Sequence, residues 1–186
     1  MNDSWKLVES IDVSDHRVFR LRHDVYHFGP AGTTRDFVVL DSPDWINVVP
    51  VTDDGRIIMI RQYRHGTRTV MLEVPGGMID PGESPEEAAT RELLEETGYQ
   101  AERIELLGRV RPNPAILDNT CHMFLAEGCR RVAELNLDAF EQIEVMPVAI
   151  EEIPEMVRTG QIDHGLVLNA LGYMGLTKVR EANRDH

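Results

Sequence analysis

The stretch Gly77–Tyr99, GMIDPGESPEEAATRELLEETGY, sets helix start and stop signals around a row of acidic residues. Ser84 is a good N-cap, Pro85 suits the first helical position, and Glu87, three residues after the cap, completes a capping box. Gly98 can take the left-handed conformation that ends a helix. At 100° per residue, Glu92, Glu95 and Glu96 fall within one arc of about 100°, and Ala89, Leu93 and Leu94 point away from it towards a core. Like charges three or four apart cost a helix roughly 0.2–0.5 kcal/mol per pair. The sequence therefore either leaves these carboxylates solvated or holds a cation among them. An all-oxygen set suits a hard divalent ion, Mg2+ first and Mn2+ second. Taken by itself, E-x-x-E-E reads first as a solvated acidic face.

The frame around the glutamates changes that reading. Gly77 is followed after five residues by Glu83, after seven more by Arg91-Glu92, and then by Leu93, Glu95-Glu96, Gly98 and Tyr99. The pattern resembles the Nudix box, G-x5-E-x7-R-E-U-x-E-E-x-G-U with U apolar or aromatic, and no position departs from it. The resemblance implies a Nudix hydrolase, which cleaves a nucleoside diphosphate linked to another group. It also implies an α+β fold, an α/β/α sandwich around a mixed sheet, over about residues 44–176. Carried over by position, Glu92 and Glu96 are direct metal ligands, Glu95 is a ligand or reaches the metal through water, and the carbonyl of Gly76 is a further candidate. In the same frame, Glu83 and Arg91 orient the loop and helix through an ion pair.

Composition narrows the partners. The formal net charge of -13 argues against a general nucleic-acid surface, which needs clustered Lys and Arg. It does not forbid a phosphate ligand, because a bound cation reverses the local sign. Of the 19 basic residues only Lys6 and Lys178 are lysine. Arginine suits bidentate phosphate contacts, although a genome-wide compositional bias explains the ratio equally well. Cys121 and Cys129 have no metal-ligand spacing and make no disulfide framework, so they read as reduced thiols. No run approaches the length of a transmembrane helix, and MNDSWKLVES is not a signal peptide, so the expected location is the cytoplasm.

Upstream of the box, Trp5–Ser10, Val18–His23 and Phe37–Leu40 read as short strands that cannot bury a core alone. They are either extra strands on the main sheet or, as the ADP-ribose and nucleotide-sugar pyrophosphatase branch of the family implies, an N-terminal β-arm over residues 1–43 that joins a homodimer. Ile46–Val51 and Arg56–Tyr63 flank an Asp-Gly turn and read as a hairpin of buried strands. The second ends in Arg61-Gln62-Tyr63-Arg64, where Arg64 matches an arginine that contacts substrate phosphate in that branch. Met71–Gly77 reads as a strand running into the box. Glu73 matches a glutamate near the site, or is an ordinary strand-end carboxylate.

Downstream, Ile104–Val110 and Cys121–Ala126 read as strands around an ordered loop, Arg111–Asn119. Pro114, sixteen residues beyond Gly98, matches a proline of many ADP-ribose enzymes, but Ala115–Asn119 departs from the G-F-S-D-E that usually follows. Asn113 and Asn119 either read sugar hydroxyls or cap their own backbone turns. Ala133–Gln142 is an acidic loop before the strand Ile143–Val148. By resemblance it supplies the catalytic base, Glu141 first and Glu144 second, unless Glu141 is a solvated loop carboxylate. Ile150–Thr159 and His164–Gly175 have helical spacing, with Met156, Val157, Leu166, Leu168, Leu171 and Met174 as core. Residues 177–186 form a tail.

These readings lead to metal-dependent hydrolysis of nucleoside diphosphate sugars, ADP-ribose included, to a nucleoside monophosphate and a sugar phosphate. The alternatives are a nucleoside triphosphate or dinucleoside polyphosphate substrate, or a module that binds nucleotide sugars without cleaving them.

Overall fold

The computed structural model describes residues 2–137 and 139–182. Residue 138 of the acidic loop and residues 183–186 of the tail lie outside them. The chain divides into two compact units, Met1–Asp44 with Arg111–Thr120, and Trp45–Val110 with Cys121–His186.

The first unit is a three-stranded antiparallel sheet in the order β1 (Trp5–Asp15), β2 (Arg20–Phe28), β3 (Thr33–Asp41). Its strands are longer than the apolar runs suggest, because polar residues such as Arg20, Asp24 and Thr34 continue the ladder. Trp5 stacks on Phe28 at 4.3 Å and meets Phe37 edge-on at 5.7 Å. Asp24 is buried and accepts from Ser10 Oγ at 2.7 Å and Arg22 Nε at 3.1 Å. The segment 111–120 is tied to this sheet. Leu40 N–H donates to the Ile116 carbonyl at 2.7 Å, and Arg22 Nη1 meets Asp118 at 2.8 Å.

The second unit holds β4 (Trp45–Pro50), β5 (Arg56–Arg64), β6 (Thr69–Glu73), β7 (Gly76–Met78), α1 (Pro85–Thr97), β8 (Tyr99–Gln100), β9 (Arg103–Val110), β10 (Cys121–Glu127), β11 (Arg130–Arg131), β12 (Ile143–Ala149), α2 (Ile153–Arg158) and α3 (Gly165–Ala182). One sheet runs β7-β4-β10-β9, with β4 and β10 parallel and the other pairs antiparallel; a second runs β12-β5-β6. The mixed sheet is covered on both faces. Ile46, Val48, Phe124 and Ala126 pack with Ala88, Ala89 and Leu93 of α1. Val49, Cys121, Met123 and Leu125 pack with Val167, Ala170, Leu171 and Met174 of α3. Alternate residues of β4 and β10 thus feed opposite layers, as the period of two requires. Burying a side chain such as Leu93 stabilises the fold by about 1.5–3 kcal/mol.

Four expectations are corrected. Strands β4 and β5 share the tight turn, closed by Gly55 N–H on the Thr52 carbonyl at 3.0 Å, but they form only the bridge Val51–Ile57 and are not a hairpin. Each carries four consecutive buried residues, Ile46–Val49 and Ile57–Ile60, apolar except for Asn47, and a strand buried on both faces needs its own partners on either side. The strand expected over 71–77 breaks at Val74-Pro75, because proline has no N–H for the ladder, and β6 and β7 belong to different sheets. Leu94 is 39% exposed, and Val157 and Leu168 are exposed as well. The last helix does not stop at Gly175, where its pattern was expected to end, but runs from Gly165 to Ala182.

Candidate active site

Helix α1 begins as its sequence dictates. Ser84 Oγ accepts the Glu87 N–H at 3.2 Å, and the Glu87 carboxylate accepts the Ser84 N–H at 2.8 Å. It ends at Gly98 (φ 72°), whose N–H reaches the Leu94 carbonyl at 2.8 Å. The Gly98 carbonyl receives Val132 and Ala133 N–H, and Asn136 N–H donates to the Glu95 carbonyl at 2.9 Å. The start of the acidic loop is thereby docked on the C-terminal end of α1.

Between these caps, α1 presents its carboxylates to β7. Glu96 is 3% exposed, and its Oε2 accepts the Gly76 N–H at 2.9 Å. The Glu92 carboxylate lies so close to Gly77 that a Cβ there would stand 2.2 Å from Oε1, which only glycine avoids. Burial pushes the Glu96 carboxyl up to about 8, with further repulsion from Glu92 and Glu141, against the Gly76 N–H and Arg64, which favour the charged form. Burial also raises Glu92, opposed by its hydrogen bond from Arg91.

Arg91 organises the rest of this face. Its Nε and Nη2 fork onto Glu83, both at 2.9 Å, and its Nη1 donates to Glu92 Oε1 at 2.8 Å and Glu95 Oε2 at 3.3 Å. The fork holds the Glu83 carboxyl below the usual range. Nη2 also meets the Met78 carbonyl at 3.1 Å, so the loop, β7 and α1 share one cation.

Gly76 and Gly77 wall a cavity of about 540 Å³, a volume typical of small-molecule sites. Arg64 lies on the same wall. Its Nε and Nη2 donate to the two oxygens of Glu73 at 2.7 and 2.8 Å, and Glu73 is 2% exposed. This fork raises the Arg64 pKa. Glu73, matched at the sequence level as a residue near the site, spends both oxygens on this arginine.

Glu141 is exposed, yet close enough to disfavour ionisation of Glu92 and Glu96. Glu144 stands opposite Arg61 in the β12–β5 register and pairs with it at 3.6 Å. Asn113, Pro114 and Asn119 belong to the other unit. The Asn113 carbonyl accepts Ile116 and Leu117 N–H in a turn, and buried Asn119 donates to the Pro43 carbonyl at 2.9 Å.

The sequence reading passed over several residues of the cavity wall, among them Asn47, His65, Asp163 and His164. His164 Nδ1 is buried with no hydrogen-bond partner among the described residues, which ordinarily costs about 1–3 kcal/mol. No short motif marks these positions. His164 precedes an apolar helical pattern and reads as part of a core helix, as Leu166, which also lines the cavity, did.

Two carboxylates whose charged forms suffer from burial and from each other, beside a backbone segment, have the donor chemistry of a divalent cation site. Among the described residues, no three His, Cys, Asp or Glu side chains stand together tightly enough to hold an ion as placed. Arg91 Nη1 engages both Glu92 and Glu95.

A model of the NUDIX domain matches residues 43–167. The chain belongs to the Nudix family. It is similar to the ADP-ribose pyrophosphatase of Bacillus subtilis, 33% identical over 156 residues that cover 83% of this chain and 84% of the relative. It is similar also to the ADP-ribose pyrophosphatase of Mycobacterium tuberculosis, 30% identical over 177 residues covering 94% and 83%. The methanol dehydrogenase activator of Bacillus methanolicus is 27% identical over 172 residues, 92% of each chain. A crystal structure of an ADP compounds hydrolase superposes with a TM-score of 0.82 at 24% identity, over 98% of this chain and 95% of that one, and shares the fold. Nudix hydrolases generally need divalent metal ions. Among the described residues no helix is long and apolar enough to cross a membrane.

Proposed function

We propose that this Nudix pyrophosphohydrolase cleaves the diphosphate bond of nucleoside diphosphate sugars, ADP-ribose among them, with Mg2+ as its ion and Mn2+ as a substitute. One observation carries the reading. The buried Glu96 and half-buried Glu92 carboxylates press on Gly76-Gly77, and those glycines wall the cavity that the Glu73-forked Arg64 lines. The names of the Bacillus and Mycobacterium relatives support the substrate class.

Glu92, Glu96 and the Gly76 carbonyl would hold the ion, with Glu95 as a ligand or acting through water; the ion supplies neutralisation of the diphosphate charge and acidifies water. Arg64 donates to a non-bridging phosphate oxygen, and Glu73 fixes the plane of its guanidinium. Glu141 takes the proton of the attacking water. Glu144 is the weaker candidate because Arg61 already engages it. Asn113, Pro114 and Asn119 shape the loop that reads the sugar. The products are a nucleoside monophosphate and a sugar phosphate.

We also assign residues 1–43 to a β-arm that joins a homodimer, residues 44–176 to the catalytic domain and residues 177–186 to a tail, in a cytoplasmic enzyme. Trp5, Leu7, Val8, Ile11 and Val13 of β1 are all exposed, an apolar strand that a second copy would cover. Sedimentation as a monomer at micromolar concentration would defeat the dimer. The substrate class is tested by kcat/KM for ADP-ribose, a GDP-sugar, a UDP-sugar and ATP under the same magnesium. A preference for ATP would remove the nucleotide-sugar reading. A preference for ADP-ribose above about 10³-fold, roughly 4 kcal/mol, would replace a broad substrate range by a strict one.

A further inference from the structure

We propose that Asn47 is a substrate-binding residue whose side-chain Nδ2 donates to an acceptor atom of the bound nucleotide; this rests on the nucleotide-sugar reading above. Asn47 interrupts the apolar strand β4 and is 8% exposed, between Ile46 and Val48, which are fully buried. Those two neighbours pack on α1, so the period of two turns Asn47 to the opposite face, the side of Trp45 and Val49. The first residues of α3, Gly165 and Leu166, stand on that side and line the cavity together with Asn47. The Asn47 Oδ1 lies 3.2 Å from the place a Cβ on Gly76 would take, and Gly76 is itself part of the cavity wall. Strand face and neighbour both direct the amide into the cavity.

The two ends of the amide differ in what they meet. Oδ1 accepts from the Cys121 thiol at 3.5 Å, whereas Nδ2 has no hydrogen-bond partner among the described residues. Nδ2 is also within reach of a ligand. The polar side-chain atoms that are both closed off and unpaired, among the described residues, are Asn119 Oδ1 and His164 Nδ1, and Asn47 Nδ2 is not one of them. An amide whose oxygen is engaged offers donors alone. Its complement is an atom that accepts and has no proton of its own to place: a non-bridging phosphate oxygen, or a ring nitrogen or carbonyl oxygen of the base. The wall suits both. Arg64 and Gly76 border the phosphate end, and Trp45, Met71 and Leu166 give apolar surface for a planar ring. The surrounding burial strengthens a hydrogen bond made there, because little water competes for it.

The acceptor belongs either to the diphosphate or to the base, and the test separates them. Asn47→Leu keeps the volume and removes the donor, and Asn47→Asp keeps the shape and puts an acceptor in its place. Asn47→Leu should raise KM for ADP-ribose about tenfold, which is ~1.4 kcal/mol, with the smaller effect on kcat. Asn47→Asp should raise KM further, because its carboxylate repels an acceptor. In the wild-type protein with magnesium, the Asn47 side-chain NH2 resonances should shift on titration with inorganic pyrophosphate or with adenine. A response to the former assigns the phosphate oxygen, and a response to the latter the base. Unfolding midpoints of both variants are measured alongside, and if neither variant folds, the wild-type resonances decide. Wild-type hydrolysis of ADP-ribose with unaltered KM in a folded Asn47→Leu variant, or an Asn47 amide unmoved by both probes, would overturn the proposal alone. Failure of the wild type to hydrolyse any nucleotide sugar would overturn the substrate reading and this proposal together.

Discussion

Gly77→Ala isolates the placement of one carboxylate from the stability of the fold. The new Cβ would stand 2.2 Å from Glu92 Oε1, against the 3.4 Å at which ordinary contact begins, so the carboxylate must retreat by about 1.2 Å. The group displaced is the far end of a flexible side chain, and the backbone does not have to move. Misplacing a positioned group by about 1 Å costs on the order of 10²-fold in rate. The expected result is a loss of kcat/KM for ADP-ribose of about that size, with the unfolding midpoint within about 2 °C of wild type, under ~1 kcal/mol for a chain of this size. Glu92→Asp shortens the side chain by one methylene, so in the Gly77→Ala background it should recover part of the loss, whereas alone it should reduce activity. A variant with kcat/KM within threefold of wild type would refute the claim that the Glu92 position matters. A collapse of the midpoint would show instead that Gly77 serves the fold.

Glu96→Gln keeps the acceptor for the Gly76 N–H and removes a charge that burial disfavours; turnover should fall by about 10²-fold or more while the unfolding midpoint holds or rises. Gly98→Ala meets the Ala133 carbonyl at 2.2 Å in a left-handed conformation, so urea denaturation should show a loss of at least about 1–2 kcal/mol. The Glu83 carboxyl is held low by Arg91, so its stabilising share is present above the ordinary value of 4.5 and is lost as pH falls through the lower folded value; Glu83→Gln should flatten the acid limb of a pH–stability curve by well under 1 kcal/mol, because the pair is partly solvated.

The box helix was legible from its sequence because every signal there is local. Cap, capping box, glutamate arc and left-handed stop all lie within one stretch, and the structure repeats them residue by residue. The strand partners were not legible. Ile46–Val49 and Ile57–Ile60 are buried runs, apolar but for Asn47, that satisfy a hairpin and two separate sheets equally well, and only the neighbours β10, β7, β12 and β6 decide between them. Leu94 was misplaced for a related reason. Helical periodicity gives a side chain's direction but not what stands opposite it. The cavity wall was the least visible part. Asp163 and His164 line one cavity with Gly76 and Arg64 across roughly 90 to 100 residues of chain, a separation at which sequence periodicity says nothing of contact. Arg64 and Glu73 were found through resemblance to the family, yet the fork between them was visible only in the structure, because the ladder sets Arg64 opposite Thr69 and Glu73 opposite Ile60.

The most direct test of the central claim is the release of phosphatase-sensitive phosphate from ADP-ribose by the metal-stripped protein, before and after magnesium is restored. AMP and ribose 5-phosphate should form only with the added ion, and Glu96→Gln should form neither at a comparable rate. Cleavage that persists in excess chelator, or no cleavage at any magnesium concentration, would contradict it.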